Sequence, residues 1–574
     1  MSAFTRFRDK LRVEGSAADG ASHAAAFLTN RDLNPVEPSR RTWTAKSFAF
    51  FWISDGVNLS TAVIVSSYVL DGLAWWQVWL AVWVGYILTT FVVICSGRIG
   101  AVYHIGFPVV MRASFGIWGS IWPIINRVAT ATLWTSYQSY LGGKCIELLL
   151  RSLAPQFNNL PNHLPASSGT TTKDFLCFFL FWLAMIPAAA TRPENIRHLF
   201  TVKAIIVPAA YVAFFAWSIH DANGLGPIVH QPATLHGSVL GWTWVSAVMG
   251  QLSNFVTLML NMPDFSRLAR HPRDTFWSQL LAIPLTFAIT SFIGLVIASS
   301  STVIFGKAVL NPLDLLSLRL DRAPYDAGTR AGVFFISTSF ALGQIGTNIA
   351  ANVLSAGSDL TALLPRYMTI RRGGLLSVAI ALCICPWKFA GENSSFSTYL
   401  SAYSVLLAPF IGVQLCDYYI IRRGFFSVPS LYTLSSDGDY RYWKGVHWRA
   451  YAAYLGGLAI NITGFAGAVG ANVSTAAQRI YTLAPLTGSI VAALVYFACC
   501  YIRPRPVGFV DVGNKVWREP KEGYEAPDWS RPTAGETSAG ASQDGQLKSS
   551  SGEGDDFEKT TTGQDKMSVE AVAY

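Results

Sequence analysis

Twelve apolar runs of roughly twenty residues each divide this chain, beginning near Lys46, Ala74, Gly119, Asp174, His198, Leu240, Ser278, Arg330, Gly374, Ser395, Arg449 and Ile480. About twenty helical residues cover a hydrocarbon core of roughly 30 Å. Lipid offers peptide groups no hydrogen-bond partner, so runs of this kind must be helices that satisfy their own backbones. The expected fold class is therefore an all-α polytopic membrane protein with twelve transmembrane helices. Composition supports this: of 574 residues, 51% are hydrophobic and only 13% charged, too apolar for a soluble enzyme of this length. The ninth run is the shortest, cut by Pro386 and Lys388.

Basic residues set the expected orientation. Arg6, Arg8, Lys10, Arg12, Arg31, Arg40 and Arg41 precede the first run, and Arg98, Arg112, Arg192, Arg197, Arg267, Arg270, Arg273, Arg366, Arg371, Arg372, Arg422 and Arg423 occupy the even-numbered loops. The loop from His220 to Gly237 has neither Lys nor Arg. The positive-inside rule then puts both termini in the cytoplasm. Lys307, Arg319, Arg322 and Arg330 are the exception, and the run Leu313 to Leu320 among them reads as a short amphipathic helix over an outer vestibule. The net charge of +9 follows from this loop bias; basic residues dispersed in this way do not make a nucleic-acid-binding surface. The eight cysteines show neither a disulfide framework nor metal spacing.

Polar residues inside the apolar runs locate a candidate site. Trp134 and Gln138 lie one helical turn apart, and Asn348 and Asn352 repeat that spacing in another run. An aromatic face beside carboxamides at bilayer depth suits a flat ring with a hydrogen-bonding edge, because a carboxamide offers one donor group and one acceptor. The same residues would also serve as interhelical packing and hydrogen-bonding glue. The first run holds Ser54-Asp55-Gly56-Val57-Asn58 near its middle and the sixth holds Met249-Gly250-Gln251-Leu252-Ser253-Asn254-Phe255. Both read as helix breaks, and paired breaks in two halves of a chain mark transporter sites near the midplane. His104, His220, His230 and His236 have no partner spacing inside the runs, which argues against an embedded enzyme. A passive channel is a competing class, but broken helices favour a carrier.

Ordered motifs carry a more specific signal: Asn30-Arg31-Asp32-Leu33-Asn34-Pro35 and Arg41-Thr42-Trp43, then Arg112-Ala113-Ser114-Phe115-Gly116 with Pro123, Arg127 and Trp134, then Asn261-Met262-Pro263-Asp264-Phe265-Ser266-Arg267, Thr347-Asn348-Ile349-Ala350-Ala351-Asn352 and Cys416-Asp417-Tyr418-Tyr419. In these the chain resembles the nucleobase-cation-symport-1 family, in its fungal Fur-like branch of uracil, allantoin and uridine permeases. The resemblance implies ten helices in two five-helix inverted repeats with helices 1 and 6 broken, two further C-terminal helices, and secondary active transport by alternating access at the plasma membrane. It divides the chain into a cytoplasmic tail (1–45), a transport core (46–420), helices 11 and 12 (421–502) and a disordered cytoplasmic tail (503–574).

Carried over by position, the resemblance implies substrate contacts from Trp134, Gln138, Asn254, Phe255, Asn348 and Asn352, proton coupling through Asp55 and Asp359, and a gate at Leu400. Asp32 resembles part of a tail segment that docks on the cytoplasmic loops; its alternative is a solvated tail. Intramembrane carboxyl groups are functional suspects by default, whereas Asp359 could instead cap a helix. No cofactor is expected, and the coupling ion is a proton. Sodium-coupled relatives hold the ion with paired helix 8 hydroxyls, and here Gly346 precedes Thr347. Many uracil-transporting relatives carry Lys where this chain has Phe255, so allantoin, a nucleoside such as uridine, or thiamine stand beside uracil as substrates. Lys515, Lys521, Lys548, Lys559 and Lys566 are amines open to ubiquitination machinery, and Asn393 and Asn472 sit in glycosylation triplets.

Overall fold

The computed structural model describes residues 12–13, 28–390, 396–435, 438–503, 505–506, 508–510 and 516–520. Helices begin within a few residues of each expected start. The first run is two helices, α1 (Ala45–Gly56) and α2 (Leu59–Leu70), bent by 51° at the break. They are followed by α3 (Trp75–Tyr103), α4 (Phe107–Phe115), α5 (Ile121–Leu153), α6 (Thr172–Ala189), α7 (Arg197–Ala222) and α8 (Gly237–Asn261). Next come α9 (Arg273–Phe305), α10 (Pro312–Arg322), α11 (Ala327–Thr347), a π-helical segment Asn348–Val353, α12 (Leu354–Leu363) and α13 (Ile370–Cys383). The chain continues as α14 (Phe396–Leu415), a second π segment Cys416–Ile421, α15 (Trp448–Ala468), α16 (Thr475–Thr482) and α17 (Ala484–Tyr501).

Seven helices, or eight counting the bent pair as one, are long and apolar enough to cross a membrane. Helices α5, α8, α13 and α15 miss that criterion. In α5 the reason is chemical: Arg127, Thr135, Gln138, Ser139, Glu147 and Arg151 are all buried, so its polar groups face protein rather than lipid. α13 has only 14 residues.

Asn58 makes the first break. Its Oδ1 accepts from Thr61 N at 2.8 Å, capping α2, and its Nδ2 donates to Asp55 O at 2.6 Å, satisfying a carbonyl left open at the end of α1. The sixth run behaves differently. α8 is one continuous helix from Gly237 to Asn261, which corrects the expected interruption at 249–255. Gly250 is small because α2 packs there: a Cβ at this position would lie 2.1 Å from the Tyr68 hydroxyl oxygen. The Gln251 amide folds back to Ala247 O at 3.2 Å, within its own helix. The chain breaks about two turns after Phe255, where Met262 leads into Pro263, which has no N–H to continue the ladder.

Two groups of helices face each other. α1, α2, α3, α8 and α9 pack together, α5 packs against α6, α11, α12 and α13, and α7 bridges them by touching α1, α9 and α11. α14 lies against α8 and α17, with α15 beside α17. One end of the bundle, here the tail face, collects the described terminal residues. Trp43 N donates to Leu268 O at 2.9 Å, Asn30 Nδ2 donates to Pro365 O at 2.6 Å and Met368 O at 2.9 Å, and Asp32 Oδ2 accepts from Ile370 N at 3.1 Å. The docked segment expected around Asp32 is thus present.

Part of the segment beyond residue 503 lies against the bundle. Glu519 pairs with Arg98 at 2.6 Å and accepts from the Tyr418 hydroxyl at 2.7 Å, while the Trp517 ring stacks on Tyr419. Arg518 adds a backbone bond to Arg423 O at 2.8 Å and stands over the Phe425 ring at 4.6 Å. Lys515, Lys521, Lys548, Lys559, Lys566 and Asn393 lie outside the described residues.

On the far face α10 confirms the short amphipathic helix, burying Leu313, Leu315, Leu316 and Leu320. Its polar side is fastened down: Arg319 pairs with Asp221 and stands over the Trp217 ring at 4.0 Å, and Arg151 holds Ser317 and Asp321 at 2.6 Å each.

Candidate functional site

The break between α1 and α2, the middle of α5, the inner part of α8 and the junction of α11 with its π segment converge on one internal cavity. Asp55, Asn58, Trp134, Gln138, Asn254, Phe255, Thr347 and Asn352 line it. It holds about 40 Å³, so its walls are drawn together in this conformation and must part to admit a ring.

Aromatic packing fixes the cavity's flat surfaces. The Trp134 indole is 6% exposed and held edge-on by Tyr137 at 5.6 Å and Tyr403 at 6.2 Å, both at 82°. Tyr403 is itself tied down by donating to Ser253 O at 2.5 Å. Across from it Phe255 sits in a box of Trp52 (6.1 Å), Tyr86 (5.6 Å) and Phe287 (4.8 Å). Offset and edge-on contacts of this kind add about 0.5–1.5 kcal/mol each beyond area burial and keep the rings from rotating out of plane. Phe255 is thus a packed wall rather than a polar contact.

Carboxamides supply the polar edge. Asn254 Nδ2 donates to the Tyr86 hydroxyl at 3.3 Å, and Gln138 Oε1 accepts from Gln344 Nε2 at 3.1 Å. Asn352 Nδ2 donates to Asn348 Oδ1 at 3.0 Å. Asn348 is fully buried and does not line the cavity; its Nδ2 meets Thr135 O at 2.9 Å, Ser139 Oγ at 3.2 Å and Met185 Sδ at 3.1 Å. It stands one layer behind the wall, not on it.

Two buried titratable groups act on each other near the break. Asp55 is 2% exposed, and its Oδ1 has no hydrogen-bond partner among the described residues. Its electrostatic counterpart is Lys203 of α7, fully buried, whose Nζ donates to Thr347 Oγ1. Sequence reasoning passed over Lys203. The available signal was a lone lysine within an apolar run, but it falls just after Arg197 and His198, where a long side chain ordinarily reaches to the interface. Lys203 also explains Gly346, since a Cβ there would lie 2.5 Å from Lys203 Cδ.

Asp359 is placed elsewhere. It lies toward the tail face, fully buried, and accepts from Arg127 Nε at 2.7 Å. Asp264 approaches the same guanidinium at 4.0 Å and accepts from Phe107 N at 3.0 Å and Ser358 Oγ at 2.9 Å. The helix-cap alternative for Asp359 is not realised; it ties α5 to α12. Leu400 falls within α14, but its side chain lies outside the described residues. No group of three or more His, Cys, Asp or Glu side chains spaced to hold a metal occurs among the described residues.

A bundle with one broken crossing helix, enclosing a small mixed aromatic and carboxamide cavity fastened at both ends, is the architecture of a membrane transporter. Its fold matches that of Mhp1, a nucleobase-cation-symport-1 transporter: the closed form with bromovinylhydantoin bound gives a TM-score of 0.63 at 22% identity over 82% of this chain and 95% of that one. The inward-facing form gives 0.64 at 20% identity over 86% and 97%. The chain belongs to the family of permeases for cytosine/purines, uracil, thiamine and allantoin, whose profile matches residues 35–488. It is similar to three Saccharomyces cerevisiae proteins. These are an allantoin permease (43% identity over 84% of this chain and 77% of that protein), a uracil permease (41% over 88% and 81%) and a uridine permease (40% over 86% and 78%). The chain is a multi-pass membrane permease, not an enzyme.

Proposed function

We propose that this permease takes up a neutral heterocycle of the nucleobase or allantoin type together with a proton, by alternating access. The convergence of the Trp134 face with Gln138, Asn254 and Asn352 around one cavity carries the reading. Such a cavity stacks a planar ring and reads its N–H and C=O edge. A neutral solute fits better than a cation such as thiamine, because Lys203 already answers the charge of Asp55 and would repel a second positive group. Asp55 beside Lys203 supplies the proton-coupling element, with Asp359 at the tail-face closure. Lys203 also weighs against sodium: its ammonium takes the hydroxyl of Thr347 that would otherwise be free to hold an ion.

Closure of the tail face by Arg127 and Asp359 and of the far face by α10 supports alternating access over a channel. The basic loops on the tail face support a cytoplasmic orientation for it; the proposal sets the permease in the plasma membrane, with the terminal lysines as targets of ubiquitination. Uptake of radiolabelled uracil, allantoin, uridine and thiamine in cells lacking their own permeases tests the proposal. One neutral heterocycle is expected to show saturable uptake that the others inhibit to graded extents. Uptake of thiamine alone, or linear downhill flux with any of the four, overturns it.

A further inference from the structure

Asparagine side chains are read by which end points where, and here one of them has no choice. The Nδ2 end of Asn348 faces a peptide carbonyl, Thr135 O at 2.9 Å, and a thioether, Met185 Sδ at 3.1 Å. Both groups accept and neither can donate. Turning the Asn348 amide over would set oxygen against oxygen in a fully buried place, where an unmade hydrogen bond is most costly. Its Oδ1 must therefore face Asn352, and the only end of Asn352 that can meet an acceptor is Nδ2, which donates at 3.0 Å. What remains of Asn352 for the cavity it lines is Oδ1, to which no group among the described residues donates.

We propose that Asn348 is a positioning residue that locks Asn352 as a hydrogen-bond acceptor, so that the permease selects rings presenting an unsubstituted N–H at that point: cyclic ureides, imides and lactams. The inference rests on the neutral-heterocycle reading above and adds the polarity of the site. The neighbouring pair is not locked in this way. Gln138 bonds Gln344, another carboxamide, so the two can turn over together and present either end. The site thus combines one fixed acceptor with one reader that adapts, which admits rings of different size and substitution as long as one N–H is kept.

The test uses full-length protein in permease-deficient cells. The substrate identified there is set against two analogue series: each ring N–H replaced in turn by N–CH3, and each replaced in turn by a ring oxygen. Oxygen is nearly isosteric with N–H but only accepts. One oxygen analogue, and the N-methyl analogue at the same position, should compete on the order of 100-fold or more less well than the parent, as expected when a site built for a donor meets none. The ring oxygen separates polarity from bulk, since a site that merely excludes size would take it as readily as the parent.

In Asn348→Leu the Asn352 amide is released and can turn its NH2 to the cavity, so the penalty on that oxygen analogue should shrink to within roughly tenfold. A purely structural role would weaken parent and analogue alike and leave their ratio unchanged. The proposal is overturned if every oxygen analogue competes within a few-fold of the parent in the wild type, a result that stands even if Asn348→Leu fails to reach the surface. It is equally overturned if a surface-expressed Asn348→Leu keeps the wild-type ratio. Absence of saturable uptake of any heterocycle would instead remove the reading beneath it.

Discussion

Replacing Lys203 by Met isolates one charge. Methionine keeps an unbranched stem of nearly the same length, so the packing against Gly346 survives while the ammonium and its bond to Thr347 are lost. Lys203 is 0% and Asp55 2% exposed, so water does not replace the missing cation. Removing one partner from a directly bonded buried pair costs roughly 3–5 kcal/mol; Lys203 bonds Thr347 and acts on Asp55 only through space, so the loss here should fall below that range. Exchanging both charges for neutral groups of similar shape is often close to neutral. Lys203→Met should therefore lower the thermal midpoint of the detergent-purified protein clearly, whereas Lys203→Met with Asp55→Asn should recover most of the loss. The coupling between the two substitutions should exceed about 1 kcal/mol, well above the near-additivity of independent sites. The same single variant should lose the dependence of uptake on a proton gradient. A double variant whose midpoint falls at the sum of the two single losses would show that these charges do not answer each other, and the coupling argument would go with it.

Trp134→Ala removes the stacking face while leaving the carboxamides, and should abolish saturable uptake with surface expression intact; normal uptake kinetics would take the indole out of the site. If protons drive transport, uptake should fall as external pH rises, collapse with a protonophore and survive removal of sodium, and sodium-dependent uptake would reverse the assignment. His104, in the tail-face loop after α3, has its imidazole pushed down to about 4 by burial and by the nearby Arg41. An unfolded histidine titrates near 6.5, so the folded state binds this proton less well, and the stabilisation is present above about 6.5 and lost as pH falls toward 4. His104→Asn, which tolerates the positive φ at this position, should flatten the decline in thermal midpoint between pH 7 and pH 4.5, and superimposable curves for the two proteins would refute this.

Helix positions were legible because hydrocarbon allows so little: a run long enough to cross must be a helix, and the observed helices start where the apolar runs do. Trp134, Gln138 and Asn352 were legible for a related reason, since polar groups at one-turn spacing inside such a run need a common partner on one face. Gly250 was misread because a glycine among polar residues looks the same whether it breaks a helix or lets a neighbour approach, and only the Tyr68 hydroxyl distinguishes these. Lys203 stayed hidden because its depth depends on how α7 packs, not on its distance from Arg197.

From the sequence alone came the membrane, the order of the apolar segments, the family and most of the residues around the cavity. Those follow from local rules: the length of a span, the period of a helix, the cost of a bare peptide group in lipid. Which side of α11 and its π segment Asn348 faces, which charge answers Asp55 and which end of Asn352 meets the cavity were decided only when separate helices came together. A hydrogen bond or an ion pair is a property of two groups, and here the partners lie on helices far apart in the chain.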